Sequence, residues 1–442
     1  MRMGTVRPPR KPRTNADFLI IGGGMAGISA LAEARRLGIY AICLEAHRKP
    51  GGRVRTVRNR RIANYPIELG PEFVHGSLMK RLCESLGLTL IKHPSDGVAF
   101  VDREFLPLLP ILSVFKSIRE QAAAHLAAGK EDSSVDKFLA SLRLGDRDLP
   151  PGVTSHLLLQ LIRNDFASRI SDLGLTGLLA PDFDGYEDDY RITEEYDEVP
   201  RRLAEGADVR SNHVASAVLR HRAGVDVVTD RGVFSGNVAV VCLPVGVLQA
   251  GDVRFDPPLS RDKSVAIDSI NAGTATKLVL CFRRSKRGTT FWPPTMPLLA
   301  TSLATQLWWP TGWGYDDQRR FLASCLVGGA AVAGFAERDP RQVGLAQLGH
   351  MFGWEKFEGN MLSPYYAKSW HDDPRIKGGY SSLPVGIDHE FLLRELESPE
   401  DDTDSQLFFA GDYVTRHPGS VHSAYQSGID AVHRAFALRK TG

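Results

Sequence analysis

Three glycines in a G-x-G-x-x-G pattern, Gly22, Gly24 and Gly27, follow the apolar run DFLII that begins at Asp17. Behind them ISALAEARRLG carries small and apolar residues at helical spacing, and a second apolar run, AICLE, ends on Glu45. A strand, a glycine turn, a helix, a strand and an acid in that order can hold a dinucleotide. Gly22 permits the tight turn, Gly24 lets a pyrophosphate approach the backbone, and Gly27 lets the helix pack on the strand. The helix N-terminus around Ala26 offers free amides and partial positive charge to phosphates. Glu45, about twenty residues on, suits hydrogen bonds from ribose hydroxyls.

Other residues carry chemistry only if the fold places them. Lys277, in NAGTATKLVLCF, heads an apolar strand; its ammonium either snorkels to solvent or is held inside a site. His75, in EFVHG, offers a neutral base or hydrogen-bond donor, or else a structural hydrogen bond. The acidic stretch YEDDYRITEEYDEV, residues 186–199, contains Glu187, Asp188, Glu194 and Glu195. It suits either attraction of a polycation or a solvated face. No His, Cys or carboxylate grouping has zinc or iron spacing, so no metal site is expected. No G-x-S-x-G elbow is present either.

The elements that position these residues belong to a chain too long for one core. At 442 residues, two packed domains are expected. A formal net charge of +2 gives no electrostatic case for nucleic acid. The basic cluster RPPRKPR precedes Asp17, and residues 1–16 are expected to form a disordered, solvated tail. That tail lacks the apolar stretch of a secretory signal. The longest apolar run, FLASCLVGGAAVAGFA from Phe321, is broken by Ser324 and glycines. It falls short of the ~20 residues that span a bilayer and suits a buried strand entering a helix; no membrane anchor is expected. Cys43, Cys83, Cys242, Cys281 and Cys325 show no C-x-x-C spacing. That favours buried thiols in a reducing compartment, and hence a cytoplasmic location.

Just past Glu45 comes Pro50-Gly51-Gly52-Arg53-Val54-Arg55-Thr56. This GGR-x-x-T segment resembles the second fingerprint of the FAD-dependent amine oxidases. Four further segments match that family in order: IELGPEFVHG at 67–76, SNHVASAVLR and its continuation at 211–248, SWHDDPRIKGGYSSLPVG at 369–386, and LFFAGDYVTRHPGSVHSAYQSGIDAV at 407–432. The resemblance spans nearly the whole chain, thinning over about 100–193 and 284–360. Its motifs are most similar to those of polyamine oxidases, with monoamine oxidases and lysine-specific histone demethylases as further relatives.

The resemblance implies an FAD-binding pattern. Gly52 and Arg53 would meet the pyrophosphate, the guanidinium as its cationic partner. Gly70, Pro71, Glu72 and Phe73 would run beside the isoalloxazine, and the Val214 backbone would grip the adenine. Asp412, after Gly411, would bind the ribityl or phosphate region, while Ser420 and Val421 would bring a helix N-terminus beneath the flavin. Lys277 would hold a water against flavin N5, where its charge assists oxygen reduction. Trp370 would pack near lysine and flavin, and Tyr380 would flank the amine. Two positions depart from the fuller pattern. Gly379 stands where monoamine oxidases carry a flavin-tethering cysteine, so FAD is expected to be non-covalent. Ser420 stands where many members have a second cage aromatic, which leaves the slot open on one side.

The expected fold class is α/β, the two-domain flavin amine oxidase fold: an FAD-binding Rossmann-like domain plus a mixed α+β substrate domain with a helical cap. The FAD domain is expected at 17–90, 199–275 and 378–442, and the substrate domain at 91–198 and 276–377. The first substrate stretch is largely helical by pattern, through FKSIREQAAAHLAAG, SVDKFLASL and TSHLLLQLIRNDFA. The second mixes strands, TKLVLCF and RFLASCLVG, with a helix around PRQVGLAQLGHMFG. The expected activity is oxidation of a small amine, best a polyamine or secondary amine, with hydride passing to flavin N5 and O2 reduced to H2O2. An L-amino-acid oxidase is the alternative, as is a flavin dehydrogenase or desaturase that uses another electron acceptor.

Overall fold

The computed structural model describes residues 14–94, 96–142, 155–180, 189–285, 290–315, 317–356, 360–400 and 407–439. The basic cluster before Asp17, and Glu187 and Asp188 of the acidic stretch, lie outside them. The DFLII run lies in the strand Asn15–Ile21, which pairs in parallel with Ala41–Glu45 on one side and Gly232–Val241 on the other. A strand covered on both faces needs apolar side chains pointing both ways. Phe18 and Ile20 enter one core, with the helices Met25–Arg36 and Val421–Arg439, while Leu19 and Ile21 enter the other.

This first sheet runs in the order Arg254–Asp256, Ala215–His221, Gly224–Thr229, Gly232–Val241, Asn15–Ile21, Ala41–Glu45, Asp208–Ser211; Leu407–Phe409 also pairs with Gly232–Val241. Residues 211–248 supply an antiparallel hairpin and then a strand that returns beside the first, as their alternation predicts. Three distant parts of the chain therefore meet at the C-terminal ends of the parallel strands, where open α/β sheets bind ligands.

The second sheet has seven strands, in the order Met361–Ser369, Ala275–Arg283, Arg320–Gly328, Leu307–Pro310, Leu299–Thr301, Val98–Val101, Glu104–Pro107. Four helices, Leu109–Ala127, Val135–Ser141, Ser155–Phe166 and Leu175–Leu179, share a core cluster with its Val98–Val101 end. The two short strands within residues 98–107 fall in a stretch, 91–198, expected to be largely helical, but precede its first helical pattern at Phe115. Four residues are too few to show a period-two signal, and pairing with Leu299–Thr301 decides their conformation. The run from Phe321 is a strand to Gly328 followed by the helix Ala331–Ala336. Among the described residues no helix is long and apolar enough to cross a membrane.

Candidate active site

The first glycine turn is built as its spacing requires. Gly22 has φ +100°, and a Cβ there would stand 2.7 Å from the Cys242 carbonyl oxygen. A Cβ at Gly27 would collide with the Gly22 carbonyl, and one at Gly428 with the Ala26 carbonyl. The two helices thus close on the loop through residues without side chains. Gly24 differs, because nothing lies within 4 Å of where its Cβ would be. It caps the helix without any side-chain hydrogen bond, although Met25, Ala26 and Gly27 are buried. Helix-start amides that no side chain caps, behind an open glycine, suit a pyrophosphate. Gly27→Ala is expected to cost about 1–3 kcal/mol by overpacking, measured as a lower melting temperature and weaker flavin retention.

Glu45 ends the second strand and is 4% exposed. Its Oε2 accepts from Gly23 N at 2.6 Å and its Oε1 from His47 N at 2.6 Å, so the acid fixes the turn as well as offering lone pairs to a ribose. Gly51 and Gly52, at φ +121° and +59°, bring the second fingerprint against the first: Gly51 N donates to Gly23 O at 2.7 Å. Val214 has both backbone groups engaged, its amide donating to Asp230 Oδ1 at 2.8 Å and its carbonyl accepting from Asp230 N at 3.1 Å. An adenine would have to share or displace these bonds.

Arg53 and Asp412 meet. The guanidinium forks onto the carboxylate, Nη2 to Oδ1 at 2.6 Å and Nη1 to Oδ2 at 3.0 Å, and Nη1 also reaches Gly379 O at 2.6 Å. Ser381 donates to Asp412 Oδ2 from its amide and its hydroxyl, each at 3.1 Å. Burial would raise this carboxyl, but Arg53 and the Ser381 donors hold it below the usual carboxylate value. The Gly411 amide donates to Ser427 Oγ at 3.0 Å, which fixes the strand end that carries Asp412. Ser420 Oγ accepts from Ser423 N at 3.1 Å, the bond pattern of a helix N-cap, and places Val421 at the first position of the last helix. At Gly379 a Cβ would lie 2.9 Å from Ala275 Cβ, so the site has no slack for a tethering side chain.

Lys277 is 1% exposed, within a strand whose first eight residues are all buried. It therefore does not snorkel. Its Nζ donates to Glu72 Oε2 at 2.6 Å and to Gly70 O at 3.2 Å, and lies 5.0 Å from the centre of the Trp309 ring. Glu72 is held between two cations. Its other oxygen, Oε1, is 2.6 Å from Arg191 Nη2, so two buried cations take both oxygens. Burial pushes the Glu72 carboxyl up, but Lys277 and Arg191 outweigh it and hold it low. Neighbouring Glu68 has no such cation against it; burial raises it to about 7, though the Tyr196 amide and Thr56 hydroxyl donate to it. Trp370 is buried and donates from Nε1 to Leu69 O at 3.0 Å, one residue from the carbonyl that takes Lys277. A Cβ at Gly70 would collide with the Arg53 carbonyl, so the two predicted cofactor segments touch here.

Tyr380 is half-buried, and its hydroxyl donates to the Asn164 carbonyl. Asn164 is fixed in turn: its Nδ2 donates to Leu326 O at 2.9 Å and Gln306 Oε1 at 3.2 Å. Next to it, Asp165 is exposed, yet burial raises its carboxyl to about 7 with Arg119 and His75 only partly offsetting the rise. Asp165 is also within electrostatic reach of Tyr380. His75 pairs through Nδ1 with Asp189 Oδ1 at 2.6 Å, and Phe73 packs its ring 6.2 Å from that imidazole and 5.6 Å from Trp309. Pro71 is half-buried between Gly70 and Glu72.

The fold thus joins Gly22, Gly24, Gly27, Gly52, Arg53 and Asp412 into one cradle, and Gly70, Lys277 and Trp370 into a second group beside it. Asp165, Asp189, Arg191 and Trp309 were not singled out by sequence: Asp165 is an isolated acid on a helix, and the other three lie on short strands without a motif of their own. Within the described part of the acidic stretch, Glu194, Glu195 and Asp197 are paired within the fold. Glu194 accepts from Thr89 N and Oγ1, at 2.9 and 2.7 Å, and Glu195 and Asp197 both pair with Arg58.

A family model described as "Flavin containing amine oxidoreductase" matches residues 25–435. Polyamine oxidase 3 of Oryza sativa subsp. japonica is 27% identical over 461 residues, covering 96% of this chain and 89% of that protein. Lysine-specific histone demethylase 2 of Homo sapiens is 25% identical over 94% of this chain, which spans 53% of that longer protein. A putrescine oxidase structure with bound putrescine shares the fold with a TM-score of 0.79 and 17% identity, covering 96% of this chain and 100% of that one. Cyclohexylamine oxidase from Brevibacterium oxydans IH-35A does so at 0.78 and 18%, covering 96% and 99%.

Proposed function

The chain belongs to the flavin-containing amine oxidoreductases, and from that premise we propose that it oxidises a polyamine or diamine held between Tyr380 and Asp165. Held without a covalent link, FAD would supply the two-electron oxidation, accepting the hydride from the carbon next to the amine nitrogen and yielding the electrons to O2, so that the products would be an imine, hydrolysed by water, and hydrogen peroxide. The chain's own residues hold and orient. The uncapped helix start, Arg53 and Asp412 would bind the cofactor, and Lys277 would set positive charge against its ring. Tyr380 would align the reacting amine, which must lose its proton to react.

The observation that carries the substrate class is Asp165. An amine that is neutral at one end and protonated at the other needs an anion for the far nitrogen, and Asp165 lies near the ring that would flank the first. An L-amino acid would instead need a free arginine fork. Two arginines near the pair are committed: Arg119 Nη1 donates to Leu178 O at 2.8 Å, and Arg191 pairs with Glu72. The buried, free state of all five cysteines supports a cytoplasmic location.

Asp165→Asn is expected to lower kcat/KM for diamines and polyamines about ten- to a hundredfold, the worth of a charge-assisted hydrogen bond, and to leave simple monoamines nearly unchanged. The sign with pH follows from the raised carboxyl. Below about 7 Asp165 is protonated and loses its attraction, so KM for a diamine rises as pH falls through that value. Anaerobic bleaching of the yellow protein by a panel of amines and amino acids tests the class. Bleaching by L-amino acids alone, or by no amine, overturns it.

A further inference from the structure

Glu72 is the buried charge that this function leaves without a task. Its side chain is 1% exposed, as are few carboxylates anywhere. It touches two buried cations at once, Lys277 on the strand Ala275–Arg283 and Arg191 on the strand Asp189–Ile192. Arg191 is itself anchored. Its Nη1 donates to Pro310 O at 3.4 Å, its guanidinium lies 5.9 Å from the Tyr315 ring centre, and its strand pairs with Leu90–His93. The carboxylate therefore has a fixed side, at Arg191, and a working side, at Lys277.

On that working side the ammonium has three N–H groups. Glu72 takes one and the Gly70 carbonyl takes another, with the Trp309 face at 5.0 Å. Among the described residues no hydrogen bond uses the third. Gly70 also stands against Arg53 of the cofactor cradle, so the carbonyl that orients Lys277 belongs to the cofactor wall. The charge balance is equally specific. Lys277, Arg191 and ionised Glu72 sum to one positive charge; without Glu72 two cations would share a dry pocket.

We propose that Glu72 is the positioning residue and counter-ion of Lys277, braced by Arg191 so that the ammonium keeps one N–H for the cofactor slot and one net positive charge beside it. This rests on Lys277 facing the cofactor. The other titratable groups around the cluster leave that role to Glu72: burial keeps His93 neutral, lowering it to about 4, and raises Glu68 to about 7 and the Tyr315 phenol to about 12. Of the two acids, Glu72 alone touches Lys277.

The test uses the full chain loaded with FAD, in five forms: the parent, Glu72→Gln, Glu72→Asp, Lys277→Met, and Lys277→Met combined with Glu72→Gln. A buried cation that loses its counter-ion gives up its proton more readily. Glu72→Gln is therefore expected to gain a pH-dependent shift of the flavin absorption bands that the parent lacks across the neutral and alkaline range. Turnover should fall roughly tenfold with KM little changed. Glu72→Asp, which keeps the charge but shortens the reach, should stand between parent and Glu72→Gln. In the Lys277→Met background, adding Glu72→Gln should create no spectral transition. If Glu72→Gln keeps the parent's spectra and turnover at every pH and only melts lower, Glu72 is a structural brace and the proposal is overturned. If it does not fold, Glu72→Asp decides by the same spectra, a parent-like profile counting against. Full turnover in Lys277→Met would instead defeat the cofactor-facing role of Lys277, a separate failure.

Discussion

Replacing Lys277 by methionine lowers turnover of any amine substrate by about 10²–10³-fold, the usual loss when one preorganised electrostatic group is removed from a reacting site. The loss is expected in reaction of the reduced enzyme with oxygen, where negative charge develops, and much less in reduction by the amine. Rapid-mixing measurements of the two half-reactions separate them. Methionine fits the site, because the Lys277 stem already lies in a strand packed on both sides and only the ammonium is lost. The variant also leaves Glu72 paired with Arg191 as a neutral unit, so the fold should hold. Retained flavin absorbance and an unchanged far-ultraviolet spectrum establish that the loss is not unfolding. A variant that reoxidises in oxygen at the parent's rate would remove Lys277 from the chemistry.

What could be read from the chain and what could not divides along a physical line. The glycine loop was legible because its demands are local. A positive φ at Gly22 and helix-to-loop contact at Gly27 exclude every other residue type, whatever the rest of the fold does. The strands around it were legible because parallel sheets bury both faces and leave unbroken apolar runs. The Arg53–Asp412 fork was not, because 359 residues separate two groups that were each read as partners of the cofactor, not of one another. The ion partners of Glu72 were not legible, since nothing local announces that Lys277 and Arg191 converge on it. Asp165 was silent for a different reason. On a helix at RNDFAS an acid looks solvated, and only the packing of that helix against Gln306 and Tyr380, through Asn164, brings it within electrostatic reach of the Tyr380 ring.

The Arg53–Asp412 fork carries the second large expectation. Asp412 is 3% exposed, and in Arg53→Met its carboxylate keeps the Ser381 donors but loses its cation. Breaking a buried pair from one side costs about 3–5 kcal/mol, because the remaining charge stays desolvated. The sign with pH reverses between the two proteins. In the parent the Asp412 carboxyl is held below its ordinary value, so its contribution is present above about 4 and is lost as pH falls through the folded value. In Arg53→Met burial is unopposed by the guanidinium and the carboxyl rises, so the variant is penalised above about 4 and relieved in acid. Melting curves of parent and variant should therefore converge as pH is lowered. Purified Arg53→Met should also be nearly colourless if the guanidinium that forks onto Asp412 is the cation that meets the pyrophosphate. Arg53→Lys should retain part of the flavin, because a point charge can balance Asp412 but cannot also reach the Gly379 carbonyl with the same planar geometry. A yellow Arg53→Met protein with parent-like melting at neutral pH would mean that the cofactor is held elsewhere and that the fork is incidental.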